Sequence, residues 1–230
     1  MSDRFQISEV EESDLEEIAL MIQTSSTSSL SPRIVLEFRN VPRSTFLAYN
    51  LAGLRSEFNG CASSNGLAEM YKIVDSQIDK IVGFAVWGWD ESTVDRLFSE
   101  KAKVPLPEGT NTVLRHRFIN ELSEMEKSIR PKGRYFELLE LITAPTHRRL
   151  GLGRQLINIG LSRADAESVP CYLSGSPMGV PVYAKCGFRE VGRISIGLDE
   201  YLEEEGDEEF KGVVHVHVGM VREPAKMGDV

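Results

Sequence analysis

Several things are scarce in this chain, and each scarcity narrows what it can be. No apolar run among its 230 residues approaches the ~18 needed to span a bilayer, so no membrane-spanning helix is expected. The opening Met1-Ser2-Asp3-Arg4 leads into mixed polar sequence and not into the apolar core of a signal peptide. Cysteine is sparse: Cys61, Cys171 and Cys186 are odd in number and lack metal-binding spacing. They read as reduced thiols, which points to a cytoplasmic or nuclear location and to no bound metal. Positive charge is short as well. Lys and Arg number 26 against 35 Asp and Glu, a formal net charge of −9, and a phosphate backbone would require a basic face, so no nucleic-acid partner is expected. The acidity serves solubility or steers a cationic small molecule. What remains is the composition of one globular domain with a substantial core. No repeat or linker divides it.

The chain is organised around residues 143–154, Thr-Ala-Pro-Thr-His-Arg-Arg-Leu-Gly-Leu-Gly-Arg. The apolar run from Phe136 to Thr143 feeds it as a strand. A helix begins inside it, because Leu152, Leu156, Ile157, Gly160, Leu161 and Ala164 recur at helical steps. The first N–H groups of such a helix have no intrahelical partner, and the macrodipole adds partial positive charge there. Gly151 and Gly153 admit a ligand close to the backbone, while Arg148, Arg149 and Arg154 add mobile charge. The segment Arg148, Arg149, Leu150, Gly151, Leu152, Gly153, Arg154 is therefore a seat for a phosphate or pyrophosphate. It is not a P-loop, since no Gly-Lys-Ser or Gly-Lys-Thr follows. It is not a dinucleotide fingerprint, since position 156 is Leu156 where a third glycine or alanine belongs.

The spacing Arg148-x-x-Gly151-x-Gly153 resembles the acyl-CoA pyrophosphate loop of the GNAT superfamily of N-acetyltransferases. Tyr183-Ala184-Lys185-Cys186-Gly187-Phe188 resembles the family's Tyr-x-x-x-Gly-Phe block, and Leu173-Ser174-Gly175-Ser176-Pro177 the segment after its fifth strand. Met220-Val221-Arg222-Glu223-Pro224 and Leu106-Pro107-Glu108-Gly109-Thr110-Asn111 look like a fungal subgroup related to puromycin N-acetyltransferase. The resemblance implies an α/β fold: one domain over residues 1–230, with a mixed, mostly antiparallel sheet splayed at its centre and helices on both faces. It implies direct transfer of an acetyl group from acetyl-CoA to an amine acceptor, a small primary amine in preference to a protein, by a monomer or homodimer. A protein lysine or N-terminal acetyltransferase, or an acyl-CoA-binding module without catalysis, are the rival readings.

The resemblance also assigns roles. The backbone of Leu141, Ile142 and Thr143 would pair with pantetheine amides where the neighbouring parallel strand splays away. Ser176 stands where many relatives place an asparagine against the cofactor, and a serine reaches less far. Tyr183 matches the tyrosine that protonates the departing sulfur, with simple packing as the alternative. An alkylamine, with a pKa near ~10.4, must lose a proton before it attacks, which costs about 4–5 kcal/mol at pH 7. Glu140, favoured, or Glu137 accepts that proton, the alternatives being water, other residues of the acceptor pocket or a substrate that is already neutral. Strand alternation places the two on opposite faces, so only one would reach the amine unless a bulge intervenes.

Elsewhere the pattern predicts a first strand near Phe5 and Ile7, then a helix entered through a capping box at Ser13-Asp14-Leu15-Glu16. A Ser/Thr-rich loop follows over 24–31, then helix from Ile34 to Leu54, interrupted at Pro42. Strands follow at Met70–Val74 and Ile81–Trp89, with Trp87 and Trp89 as core in preference to the lining of a substrate pocket. Residues 91–132 form a helical insertion, a lid over the acceptor or ordinary scaffold, with one clear amphipathic helix through Leu114, Phe118, Leu122, Met125 and Ile129. Val169–Leu173 is the strand parallel to Phe136–Thr143. The last two strands alternate at Ile194, Ile196, Leu198 and at Val214, Val216, Val218, around a solvated acidic loop from Glu203 to Glu209. His147 reads as an exposed loop residue. His215 and His217 share a strand face, with no third ligand in sequence to make a metal site.

Overall fold

The computed structural model describes residues 4–26, 32–202 and 207–225. Its centre is the strand that feeds the glycine turn, β4 (Phe136–Thr143). The sheet has seven strands in the order β1-β2-β3-β4-β5-β7-β6, where β1 is Phe5–Glu9, β2 Ala68–Asp75, β3 Lys80–Gly88, β5 Cys171–Gly175, β6 Arg189–Gly197 and β7 Val214–Arg222. Every neighbouring pair is antiparallel except β4 and β5. That exception follows from the helix between them, α6 (Leu152–Glu167), which carries the chain back to the starting end of the sheet. This is the single α/β domain with a mixed, mostly antiparallel sheet that the sequence implied.

Residues alternate between two covered faces. On one, α6 presents the six apolar positions read from its periodicity, all buried, against Trp87, Leu138 and Leu173. Gly160 is where that packing is closest: a Cβ there would lie 2.3 Å from the Trp87 ring. The indole N–H of Trp87 donates to the Leu156 carbonyl at 3.2 Å, and Trp89 stacks on Trp87 with centroids 5.5 Å apart. Both tryptophans are core, each contributing on the order of 2–3 kcal/mol by burial. The short helix α7 (Val180–Lys185) closes at Gly187 and brings Tyr183 and Phe188 to the same side.

The other face is covered by α1 (Leu15–Ser26), α3 (Arg43–Ala62) and α4 (Glu91–Lys101) over β2 to β4, and by α5 (Thr112–Ile129) over β6 and β7. Pro42 separates α2 (Pro32–Phe38) from α3 and sits at the N-cap of the second. The predicted insertion resolves into α4 and α5, each with a side-chain N-cap, Asp90 accepting from the Thr93 N–H and Asn111 from the Leu114 N–H.

Three local expectations are corrected. The N-terminal box sits earlier than Ser13: Glu12–Asp14 forms a 3-10 turn whose Asp14 carboxylate accepts from the Glu11 N–H at 2.7 Å. Residues 24–26 extend α1, because Thr24 returns its hydroxyl to the Leu20 carbonyl and the turn continues. Residues 27–31 lie outside the described residues, as do 203–206 of the acidic loop. In the rest of that loop Glu208 and Glu209 are exposed as expected, but Asp207 is not: Asp207–Phe210 is a 3-10 turn with Phe210 in the core and Asp207 buried in an ion pair with Arg39. A carboxylate is tolerated there because a guanidinium reaches it.

Candidate active site

β4 and β5 pair over only three residues, Phe136 with Cys171, Glu137 with Tyr172 and Leu138 with Leu173. Beyond Leu138 the two strands part. The backbone of Leu139–Thr143 keeps its bonds to β3 on one side and has no strand on the other. A row of N–H and C=O groups is thus left facing a cleft, which is where an extended amide-bearing molecule finds partners.

The cleft runs to the start of α6. Arg149 and Gly151 both have positive φ, 64° and 81°, and they turn the chain sharply into the helix. Gly151 is the N-cap and offers no side-chain cap, so the first-turn N–H groups remain unclaimed. Nothing lies within 4 Å of where its Cβ would be, so backbone conformation and not crowding requires glycine.

A cavity of about 1980 Å³ joins this turn, the β4–β5 cleft and the space beneath α3, α4 and α5. It is larger than the roughly 300–1,000 Å³ of an ordinary ligand pocket, which suits a long ligand and a second molecule together. Of the predicted residues, Leu141, Ile142, Thr143, Arg148, Arg149, Gly151, Leu152, Gly153, Arg154, Ser176, Tyr183, Glu137 and Glu140 all line it. Leu150 does not: its side chain turns to solvent at the outside of the bend, half exposed. His147 is no exposed loop residue. It closes the turn by contacting a carboxylate oxygen of buried Asp75 at 3.2 Å and packing edge-on to Phe5.

The opposite-face expectation for the two glutamates fails, and the reason is a bulge. The β3–β4 register shifts between Val86 and Trp87, so that Val86 opposes Glu140 and Trp87 opposes Leu138, with Leu139 left over. The extra residue restores Glu140 to the face of Glu137. Glu140 pairs with Lys101 at the end of α4, and Lys101 also reaches Glu57 of α3 at 3.2 Å. Glu57 is buried, and burial, aided by the Glu140 charge, pushes its carboxyl up to about 7. Glu137 meets Arg130 just beyond α5 at 3.3 Å. Arg130 also pairs with Glu126 at 3.4 Å, and Glu126 accepts from the Ser174 hydroxyl at 3.1 Å. Glu137 is 2% exposed, and its Oε2 has no partner. Burial outweighs Arg130 and pushes its carboxyl up to about 8.

On the opposite wall Tyr183 is buried against the glycines that precede it. A Cβ on Gly179 would lie 2.5 Å from its ring, so the ring rests directly on backbone. Burial raises its hydroxyl to about 12.

Lys101, Arg130, Glu126 and Glu57 were not found from the sequence. Only the four-residue step from Glu126 to Arg130 carried a local signal, that of a helical ion pair. The others meet β4 from α3 and α4, remote in sequence.

Residues 126–196 match the family model described as an acetyltransferase (GNAT) domain. No curated protein matches the chain. Among solved structures, it resembles the C-terminal condensation domain of Ebony in complex with beta-alanyl-dopamine, with TM-score 0.64 and 13% identity over 95% of this chain and 98% of that one. It resembles arylalkylamine N-acetyltransferase 2 from Aedes aegypti, with TM-score 0.59 and 15% identity over 97% and 100%. It also resembles the PaiA N-acetyltransferase of Thermoplasma acidophilum in complex with coenzyme A, with TM-score 0.51 and 12% identity over 97% and 99%. Identities this low establish the fold alone. The chain has the fold of the GNAT N-acetyltransferases, and the matched segment contains the bulged strand, the glycine turn and Tyr183. Among the described residues no helix is long and apolar enough to cross a membrane, and no group of three His, Cys, Asp or Glu is placed to hold a metal ion.

Proposed function

We propose that this chain is an acetyl-CoA-dependent N-acetyltransferase that moves an acetyl group directly from the thioester to a small primary amine. The observation that carries the reading is the splayed β4–β5 junction, opening in one cavity with an uncapped glycine helix start and with buried carboxylates. The residues fit coenzyme A. Unpaired edge groups of Leu141, Ile142 and Thr143 suit pantetheine amides, and the N–H groups from Gly151 to Arg154 suit the diphosphate. Arg148, Arg149 and Arg154 supply countercharge, with Ser176 a short-reaching contact on the β5 side.

Glu137 is the better proton acceptor of the two glutamates. A base works best when its pKa lies near the working pH, and Glu137, at about 8, lines the cavity with one oxygen unpartnered. Glu140 is engaged in an ion pair with Lys101 and has no such unpartnered buried oxygen. Tyr183 faces the sulfur end of the cleft. A thiol near ~8.5 is several units more acidic than a phenol at about 12, so full proton transfer costs on the order of 5 kcal/mol. Tyr183 therefore donates a hydrogen bond to the departing sulfur. Residues 91–132 act as a wall of the acceptor chamber, through Lys101, Glu126 and Arg130. The same reading places the protein in the cytoplasm or nucleus, as monomer or homodimer, within or near the fungal puromycin-acetylating group.

The test is free-thiol release from acetyl-CoA with the full chain against a panel of small amines, with lysine-containing and free-N-terminal peptides alongside. Turnover confined to small amines is expected. Turnover confined to peptides overturns the acceptor class. Tight coenzyme A binding with no thiol release on any acceptor overturns the activity.

A further inference from the structure

The cavity has a far end that the acetyl-transfer reading leaves without a role. There α2, α3, α5 and β7 bring together Arg33, Glu37, Tyr49, Arg115, Phe118, His215 and His217, all lining the cavity. Phe118 is the hub. The Arg33 guanidinium lies 4.0 Å over its ring, and the His215 and His217 rings stand edge-on to it at 5.5 and 5.3 Å. The two imidazoles are 6.0 Å apart, centroid to centroid.

Charge does not balance at this wall. Among the described residues Glu37, fully buried, is the carboxylate at this wall, and it serves two guanidiniums: Arg33, and Arg115 at 2.7 Å. Arg115 also donates to the Tyr49 hydroxyl at 3.1 Å, which adds no negative charge. One unit of positive charge is left over in a site whose Arg33 side chain is 11% exposed. Burial and the repulsion of Arg115 lower the Arg33 pKa against the pull of Glu37. Burial, followed by Arg33, also pushes His215 down to about 3 and His217 to about 4, so both rings are neutral at working pH. Each then offers one N–H and one acceptor nitrogen.

Hydrogen bonding is incomplete as well. Arg33 Nε, His215 Nε2 and His217 Nδ1 are buried with no partner. Such atoms each cost on the order of 1–3 kcal/mol when left unmade, and most buried polar atoms in folded proteins are satisfied. An excess cation and three unpaired nitrogens around one phenyl ring form a receptor for a planar anion. A carboxylate can accept from Arg33 Nε and from an imidazole whose N–H faces it, and it supplies the missing charge.

The loop 106–111 holds this wall in place. The Asn111 N–H donates to the Glu37 carbonyl at 2.8 Å, while the Asn111 side chain caps α5. Gly109, at φ 87°, packs so closely that a Cβ would lie 2.6 Å from the Asn40 carbonyl oxygen. The rigid seating of α2 against α5 fixes the two guanidiniums before any ligand arrives.

We infer that Arg33, Arg115, His215 and His217 form a carboxylate subsite at the far end of the acceptor chamber, so that the preferred acceptor carries an amine at one end and a carboxylate at the other. This rests on the N-acetyltransferase reading, because that reading places the amine at Glu137. The amine meets buried carboxylates and the carboxylate meets buried cations, so one dipolar molecule satisfies both walls.

The experiment compares ω-amino carboxylates of three to six carbons with n-alkylamines of equal length, using the full chain and acetyl-CoA. At the best length, kcat/KM is expected to favour the carboxylate by tenfold or more. The ratio is expected to fall toward one in Arg115→Met and in His217→Phe, separately made so that a folding failure in one leaves the other. A ratio near one in the wild-type protein overturns the subsite, as does a ratio that neither variant changes. The same pairs are titrated calorimetrically in the presence of coenzyme A, which requires no turnover. Preferential binding of the carboxylate without acetyl transfer supports the subsite and overturns the acetyltransferase reading. Equal or absent binding of the two series overturns the subsite.

Discussion

The two ends of the cavity are built in different ways. The end proposed to hold coenzyme A is made of backbone: an unpaired strand edge, a glycine in a left-handed turn and the open first turn of α6. The acceptor end is made of side chains from α2, α3, α4, α5, β4 and β7, tied into buried ion pairs. A backbone site depends on main-chain geometry and tolerates many side chains. A side-chain site depends on each group's charge state, so it answers to pH and to single substitutions. Binding of a constant cosubstrate suits the first, and choice among acceptors suits the second.

The largest effect that would sharpen this contrast is at Glu137. Glu137→Gln is expected to lower kcat/KM by about 10³-fold while leaving acetyl-CoA affinity unchanged. In the wild-type enzyme the rate should rise with pH up to about 8, as the base loses its proton, and that limb should vanish in the variant. A surviving limb assigns the proton to another group. Next comes the histidine pair. Their folded pKa values lie below the unfolded value near ~6.5, so the unfolded chain takes up protons first as pH falls. Stability carried by these residues is present above pH ~6.5 and is lost toward their folded values, with about 4 kcal/mol lost between pH 7 and pH 5. Denaturant titration of the His215→Gln/His217→Gln protein should show a flatter acid limb. Tyr183→Phe should slow kcat by about 10²-fold with little change in stability, seen in single-turnover thiol release. Smallest is Gly151→Val. Strain at positive φ is on the order of 1–2 kcal/mol, and relaxation of the turn should raise the acetyl-CoA dissociation constant by about tenfold. A larger effect on acceptor KM than on acetyl-CoA would break the division between the two ends.

The same division explains what could be read from the sequence. Strand, glycine turn and α6 are neighbours in the chain, so periodicity and a pair of glycines sufficed to place them. Tyr183 followed from the resemblance of Tyr183–Phe188 to the family's Tyr-x-x-x-Gly-Phe block. The far wall has no such signature. Arg33 and Glu37 meet Arg115 and His217 only because α2, α5 and β7 converge, and the sequence spacing between those elements carries no period. The strand alternation of Glu137 and Glu140 was read correctly as a rule and failed in fact, because the bulge at Leu139 depends on how β3 pairs with β4. Asp207 was read as solvated for the same kind of reason, since its partner Arg39 is remote in the chain.

The strand order carries one more consequence. Among the described residues β6 is an edge strand paired with β7 alone, and β7 lies between it and β5. On the ribosome, Arg189–Gly197 is synthesised and emerges ahead of Val214–Arg222, the strand that receives it. Until then β5 and β6 both present bare strand edges, the kind of surface that draws chaperones or neighbouring nascent chains. The sheet therefore assembles after translation of its last strand, by a long-range closure that makes this end of the protein slow to form.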